Sequence, residues 1–249
     1  MRRTLGSSHA LDAGFMAGTI VLALLGCSKN PTRPVVRAVE SPTAVVERFR
    51  KAWIQRDTLA LRSCLAQAFV YASACVDSTG AAYFAIGPHR DSTLLAVARL
   101  FRRGSATHPP AISIDVRIDS MEVYLAPEDT IHERDALGTA SVVIQTPSET
   151  LNLGGFTGFH LVRGDIALAP TDPPDSTRWF IQHWIEVVMH ETPPASAARA
   201  RAAWRARQLM TQGFRAGFHA APQAPAADST ECDSLERTMW GYAVRRYLD

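Results

Sequence analysis

Between residue 42 and about Gln55, apolar residues recur at spacings of three and four: Val45, Val46, Phe49, Ala52 and Trp53. Ser41 supplies an N-cap hydroxyl and Pro42 sits in the first turn, where its missing N–H costs nothing, so the stretch predicts an amphipathic helix. Asp57 caps a second, short helix with Leu59, Leu61, Cys64 and Leu65, after which Phe69, Val70 and Tyr71 turn extended. Residues 81–86, AAYFAI, read as a second short strand after the Asp77-Ser78-Thr79-Gly80 turn. Asp91 caps a third helix over 92–103, with Leu94, Leu95, Ala98 and Phe101 on its buried face.

From residue 112 the period changes from helical to alternating. Ile112, Ile114, Val116 and Ile118 point one way while Ser113, Asp115, Arg117 and Asp119 point the other, the pattern of a half-buried strand. The consecutive polar Asp119 and Ser120 shift the register to Met121, Val123 and Leu125, which predicts a bulge there. Residues 137–146, 154–163 and 178–188 give three more strands, separated by segments holding Pro127, Pro147 and the Pro173-Pro174 pair. Helix, helix, two short strands, helix, then four long strands is an α+β order, with helices gathered on one face of a curved antiparallel sheet.

Length and composition fit that layout. The chain has 249 residues, 47% of them apolar, and a formal charge of +2, which excludes a disordered polypeptide and a large electrostatic footprint for nucleic acid. All but Lys29 and Lys51 of the 26 basic residues are arginine, a trait of a GC-rich genome rather than of a function. No Gly-rich phosphate loop, GxSxG elbow, HExxH or CxxC pair is present and the histidines lack zinc-ligand spacing, so no cofactor or metal is expected.

The first 26 residues carry Arg2 and Arg3, then an apolar run from Phe15 to Leu25 that is too short for an ordinary membrane span. Leu24-Leu25-Gly26-Cys27 resembles the lipobox of bacterial lipoproteins. The resemblance implies cleavage before Cys27, whose thiol then carries a diacylglycerol with palmitate-type acyl chains. Ser28 after the cysteine resembles an outer-membrane passenger facing the periplasm more than an inner-membrane one. Residues 27–41 hold two prolines and no apolar period, and read as the acylated cysteine and a tether. The remaining cysteines, Cys64, Cys75 and Cys232, allow one disulfide; Cys64 with Cys75 is the closest pair in sequence, and buried free thiols are an equal alternative.

The segment Phe49-x-x-Ala52-Trp53-x-x-x-Asp57-x-x-x-Leu61, then Leu65-Ala66-x-x-Phe69-Val70-Tyr71, and Trp179-x-Ile181-x-x-Trp184 near the end, resembles the NTF2-like (SnoaL-like, cystatin-like) cone fold over about residues 42–190. That resemblance implies a sheet wrapped around the first helix with a cavity open at one end. Some relatives use the cavity as isomerases, dehydratases or cyclases and others only bind; fold does not choose among them.

Catalysis in such a cavity needs a carboxylate or histidine in a dry site plus a donor for the developing oxyanion. The ionisable strand residues are His160, His183 and Glu186, with Tyr71, Tyr83 and Tyr124 as donors. His160 shares a face with Phe156, Gly158 and Val162; His183 shares one with Trp179, Ile181 and Ile185. Either histidine is therefore a candidate general base facing the cavity, and a core or edge histidine satisfied by backbone or water is the commoner fate of such a residue. Trp53, Phe69, Tyr71, Tyr83, Phe156 and Trp184 are the candidate lining of an apolar pocket for a flat ligand, or equally its filling.

Residues 191–249 form a helical extension with a Pro/Ala linker near 221–231. The stretch 195–220 has high helix propensity, Met210, Phe214 and Phe218 at four-residue steps, and five arginines spread around the helix, which favours packing on the sheet over lying on a membrane. A closing helix capped by Asp233 or Ser234 carries Leu235, Met239, Tyr242 and Val244, and its aromatic density predicts that it docks.

The sequence thus points to a cell-envelope lipoprotein, lipid-anchored at Cys27, with a non-catalytic NTF2-like domain that binds a small apolar ligand or a protein partner, as a homodimer or with another envelope protein. The rivals are a histidine-dependent isomerase, dehydratase or cyclase, and a structural component with a filled cavity.

Overall fold

A computed structural model describes residues 39–76, 82–125, 131–164, 176–189 and 230–248, together with position 208. Cys27, the signal segment, the tether as far as residue 38 and all of residues 190–229 except 208 lie outside the described residues.

Helix α1 spans Pro42–Gln55 and buries Val45, Val46, Phe49, Ala52 and Trp53, the five positions the spacing singles out. It ends at Arg56, which is left-handed (φ 53°). Asp57 accepts hydrogen bonds from the N–H groups of Leu59 and Ala60 and so starts α2, Thr58–Arg62. Strands β1 (Leu65–Val76) and β2 (Ala82–His89) follow, each longer than the local pattern indicates, because both carry apolar residues on both faces and show little alternation.

Helix α3 covers Arg90–Ala98 and continues into a π-helical turn, Arg99–Arg103. Its buried side is Thr93, Ala96, Val97, Leu100 and Phe101, whereas Leu95 is exposed and Leu94 half-buried. The buried side is therefore rotated from the expected one up to the widened turn, which shifts the phase before Phe101.

Strands β3 (Ser113–Tyr124), β4 (Glu133–Gln145), β5 (Thr150–Arg163) and β6 (Trp179–Met189) form an antiparallel meander. The β3 bulge falls where the pattern places it, with the register shifting between Asp119 and Glu122 and Ser120 at φ 54°. Sheet order is β2-β1-β6-β5-β4-β3. One pairing corrects the sequence expectation of an all-antiparallel sheet: β1 and β6 run parallel, Tyr71 beside Trp184 and Ser73 beside Glu186. Apolar alternation encodes which side chains are buried but not which strand lies alongside, and here the β1–β2 hairpin joins the meander through β1.

A second correction concerns β6. Its pairing with β5 slips between His160 and Leu161, so Ile181 pairs with Leu161 and His183 with His160, leaving Gln182 as the extra residue. His183 consequently faces away from Trp179 and Ile181, with Ile185 and Val187.

The closing segment is two short helices, α4 (Thr230–Glu236) and α5 (Trp240–Arg245). It does dock, and on its own chain: Trp240, Ala243, Val244 and Tyr247 join Phe49, Trp53, Phe159 and Trp184 in one buried cluster. Cys75 on β1 is disulfide-bonded to Cys232 on α4, and Cys64 is a buried free thiol. Proximity in sequence therefore misleads, because Cys64 and Cys75 lie near opposite ends of one extended strand, about 3.3 Å per residue apart.

Candidate functional site

The face of the sheet against α1 is where the resemblance implies a cavity, and it is filled with aromatic rings. α1 places Phe49 and Trp53 one turn apart on its inner side. Phe49 meets Phe159 of β5 at 5.5 Å and Trp184 of β6 at 5.4 Å between ring centroids. Trp240, the first residue of α5, lies 4.9 Å from both Trp53 and Trp184 and 5.3 Å from Phe49. Most of these pairs are edge-to-face, the arrangement the ring quadrupoles favour. Trp53, Trp184 and Trp240 are all fully buried. The Trp184 indole N–H donates to Thr157 Oγ1 at 3.1 Å, while those of Trp53 and Trp240 have no acceptor among the described residues.

One carboxyl is set in this aromatic interior. Glu186 is 2% exposed and accepts from the backbone N–H of Trp240 (3.0 Å), the N–H of Gly241 (2.5 Å) and the Tyr71 hydroxyl (3.0 Å). It thus caps α5 from a different element, since Met239 gives no side-chain cap. Burial pushes its pKa up from 4.5 to about 7, against the opposing pull of these hydrogen bonds. Tyr71 is raised well above 10, first by burial and then by Glu186. Its ring passes so close to Gly87 and Gly241 that a Cβ at either position would collide with it. Those two glycines let the hydroxyl reach Glu186.

The second face, away from α1, holds the sequence-predicted histidines. Asp135 pairs with His160 across β4 and β5, and His160 with His183 across β5 and β6, so the three form a row along one face. His160 Nδ1 lies 2.8 Å from Asp135 Oδ1, and the His160 and His183 rings stack at 5.4 Å with planes 24° apart. Asp135 is 1% exposed and His160 9%. The expectation that either histidine faces the cone interior is corrected: each strand neighbour that does face it, Phe159, Trp184 and Ala136, is one residue away and on the opposite side.

Of the six pocket candidates, Trp53, Phe69, Tyr71 and Trp184 are brought together in the interior. Tyr83 packs instead by the Cys75–Cys232 disulfide, and Phe156 lies on the second face with Ala72, Ala74, Ile185 and Val187. Trp240, Asp135 and the Cys75–Cys232 bond are the parts sequence reasoning does not locate. Glu186 is among the ionisable strand residues the sequence singles out, an acid inside the apolar run WFIQHWIEVVM; Asp135, in ERDALG, has no such signal. Among the described residues no group of three or more His, Cys, Asp or Glu is placed to hold a metal ion, and no helix is long and apolar enough to cross a membrane.

Comparison with known proteins matches no family model and no curated protein. Solved structures do resemble it. An NTF2-like protein of unknown function in nutrient uptake from Rhodospirillum rubrum is 19% identical, covering 60% of this chain and 98% of that one, with a TM-score of 0.38. An NTF2-like protein with a cystatin-like fold from Novosphingobium aromaticivorans is 13% identical over 63% and 83% of the two chains, TM-score 0.33. An NTF2-like protein of unknown function from Shewanella oneidensis is 13% identical over 59% and 95%, TM-score 0.35. Its structural neighbours are NTF2-like proteins.

Proposed function

We propose that this chain is a lipid-anchored cell-envelope protein, held at Cys27, whose NTF2-like domain is a non-catalytic binding module for a protein partner. The observation that carries the reading is Trp240. The chain's own last helix supplies the ring that stands among Phe49, Trp53 and Trp184, where a small apolar ligand would otherwise lie. Export is supported by the Cys75–Cys232 bond, since disulfides persist in oxidising compartments and are rare where thiols are kept reduced. By the sorting rule for the residue after the cysteine, the outer membrane facing the periplasm is the proposed location.

The reading is tested by purifying the protein from its own host after mild extraction and measuring its intact mass under native conditions. A protein mass with a diacylglyceryl group on Cys27 and no other small molecule supports it. A co-purifying compound of defined mass overturns the closed-interior part, and an unmodified Cys27 overturns the anchor.

A second reading has its own observation. The 2.8 Å Asp135–His160 contact orients an imidazole as a general base is oriented in an isomerase or dehydratase. On that reading His160→Ala lowers a turnover found for this protein by roughly 100-fold or more, the usual contribution of a general base. An unchanged rate removes it.

A further inference from the structure

The second face of the sheet is buried over β1, β6 and β5, although Asp115 and Arg117 on β3 and Thr139 and Ser141 on β4 are exposed there, yet the five helices α1 to α5 all contribute to the core on the other side, through Trp53, Leu61, Val97, Cys232 and Trp240. On this second face Ala72, Ala74, Ile185 and Val187 are each no more than 1% exposed, with Val162 and Asp135 equally covered. The centre of the face is made of small or branched residues. Ala72 pairs with Ile185, which pairs in turn with Gly158, and Ala74 pairs with Val187, while Phe84 and Phe156 stand at the two sides. That is a shallow trough suited to a backbone that comes close.

We propose that the trough is the docking site of the chain's own residues 203–217, and not a surface on which two copies pair. The segment's connections allow it: residues 190–229 leave from Met189, at the end of β6, and return at Thr230, the start of the helix tied to β1 by Cys232. β1 and β6 are the strands that form the trough. Twelve or more residues remain on each side of 203–217, enough to span roughly 40 Å if extended.

The pattern of the segment fits as well. Gln208 is helical and its side chain is exposed. With 3.6 residues per turn, Ala203, Ala206, Met210, Gly213, Phe214 and Gly217 fall on the side away from Gln208. Small residues there match the small residues of the trough, and Met210 and Phe214 supply the apolar contact. Fifteen helical residues measure about 22 Å, the width of about five strands. A face occupied in this way is closed to pairing between copies.

Hydroxyl-radical footprinting read by mass spectrometry, combined with sedimentation velocity on the unaltered protein, tests the proposal. The protein should sediment as a monomer from micromolar down to nanomolar concentration, with labelling of Phe84, Phe156 and Ile185 low and constant throughout. Replacing residues 199–220 by a Gly/Ser stretch of equal length should raise labelling of those three side chains at least 5-fold while the Cys75–Cys232 bond still forms. Should that variant not fold, Phe214→Ala in the full chain should raise the same labelling by about 2-fold. Labelling that rises as a wild-type dimer dissociates on dilution would overturn the proposal in favour of a second copy. Labelling unchanged in Phe214→Ala and in a folded replacement variant would overturn it as well.

Discussion

The two faces of this sheet are covered to different extents and with different chemistry, the second being buried over β1, β6 and β5 and exposed at Asp115, Arg117, Thr139 and Ser141. Against α1 the sheet presents large rings, Tyr71, Phe159 and Trp184, and the chain closes over them with Trp240 from its last helix. Away from α1 it presents Ala72, Ala74, Ile185 and Val187, crossed by the polar row Asp135, His160 and His183. Because strand side chains alternate, the two chemistries are interleaved one residue apart: Phe159 with His160, Trp184 with His183, Ala136 with Asp135. The groups that look catalytic are therefore not in the aromatic interior, and the acid that is there, Glu186, is engaged by the backbone of α5 and the Tyr71 hydroxyl.

The sharpest way to break the comparison is to remove the ring that closes the interior. Trp240→Ala should cost about 3–5 kcal/mol, the range for a fully buried large aromatic, read as a fall in the denaturant midpoint. A loss under 1 kcal/mol would mean α5 is loosely seated and the α1 face is open. The disulfide comes next. It joins residues 157 apart in sequence, and loop-closure entropy gives a stabilisation of at most about 5 kcal/mol, so Cys75→Ala with Cys232→Ala should lower stability by about 2–5 kcal/mol.

Glu186 gives the interior a pH dependence. Its carboxyl binds a proton more tightly in the folded protein, at about 7, than in the unfolded chain, at 4.5. Its contribution is thus complete below pH 4.5, falls as the pH rises, and is gone above 7, a change of about 3 kcal/mol. Comparing denaturant midpoints of the wild type and Glu186→Gln from pH 4.5 to 8 checks this: the variant should lose that part of the slope. The smallest effect belongs to the second face, where His160→Ala leaves buried Asp135 without its 2.8 Å partner and should cost about 1–3 kcal/mol by calorimetry.

The legibility of the sequence follows the same division. α1 is written plainly, since its five buried positions and its Pro42 start are local, although the Ser41 hydroxyl bonds Thr43 Oγ1 and caps no backbone N–H, and the β3 bulge is visible because Asp119 and Ser120 interrupt an alternation. Pairing is not local. That β1 lies parallel to β6, that Gln182 is an extra residue turning His183 to the other side, and that Cys75 finds a partner 157 residues away are consequences of which strands and helices meet. Aromatic residues in the closing segment announce that it docks, but nothing in Trp240 itself says that its ring belongs between Trp53 and Trp184.

The central claim is that the interior is closed by the chain itself and holds no small-molecule ligand. Native mass spectrometry of the protein taken from its own host tests it most directly. The account predicts a single species whose mass is the polypeptide and its lipid anchor alone, unchanged by gentle collisional activation. Loss of a defined small molecule on activation would contradict it, because that compound would have to lie where Trp240 now stands.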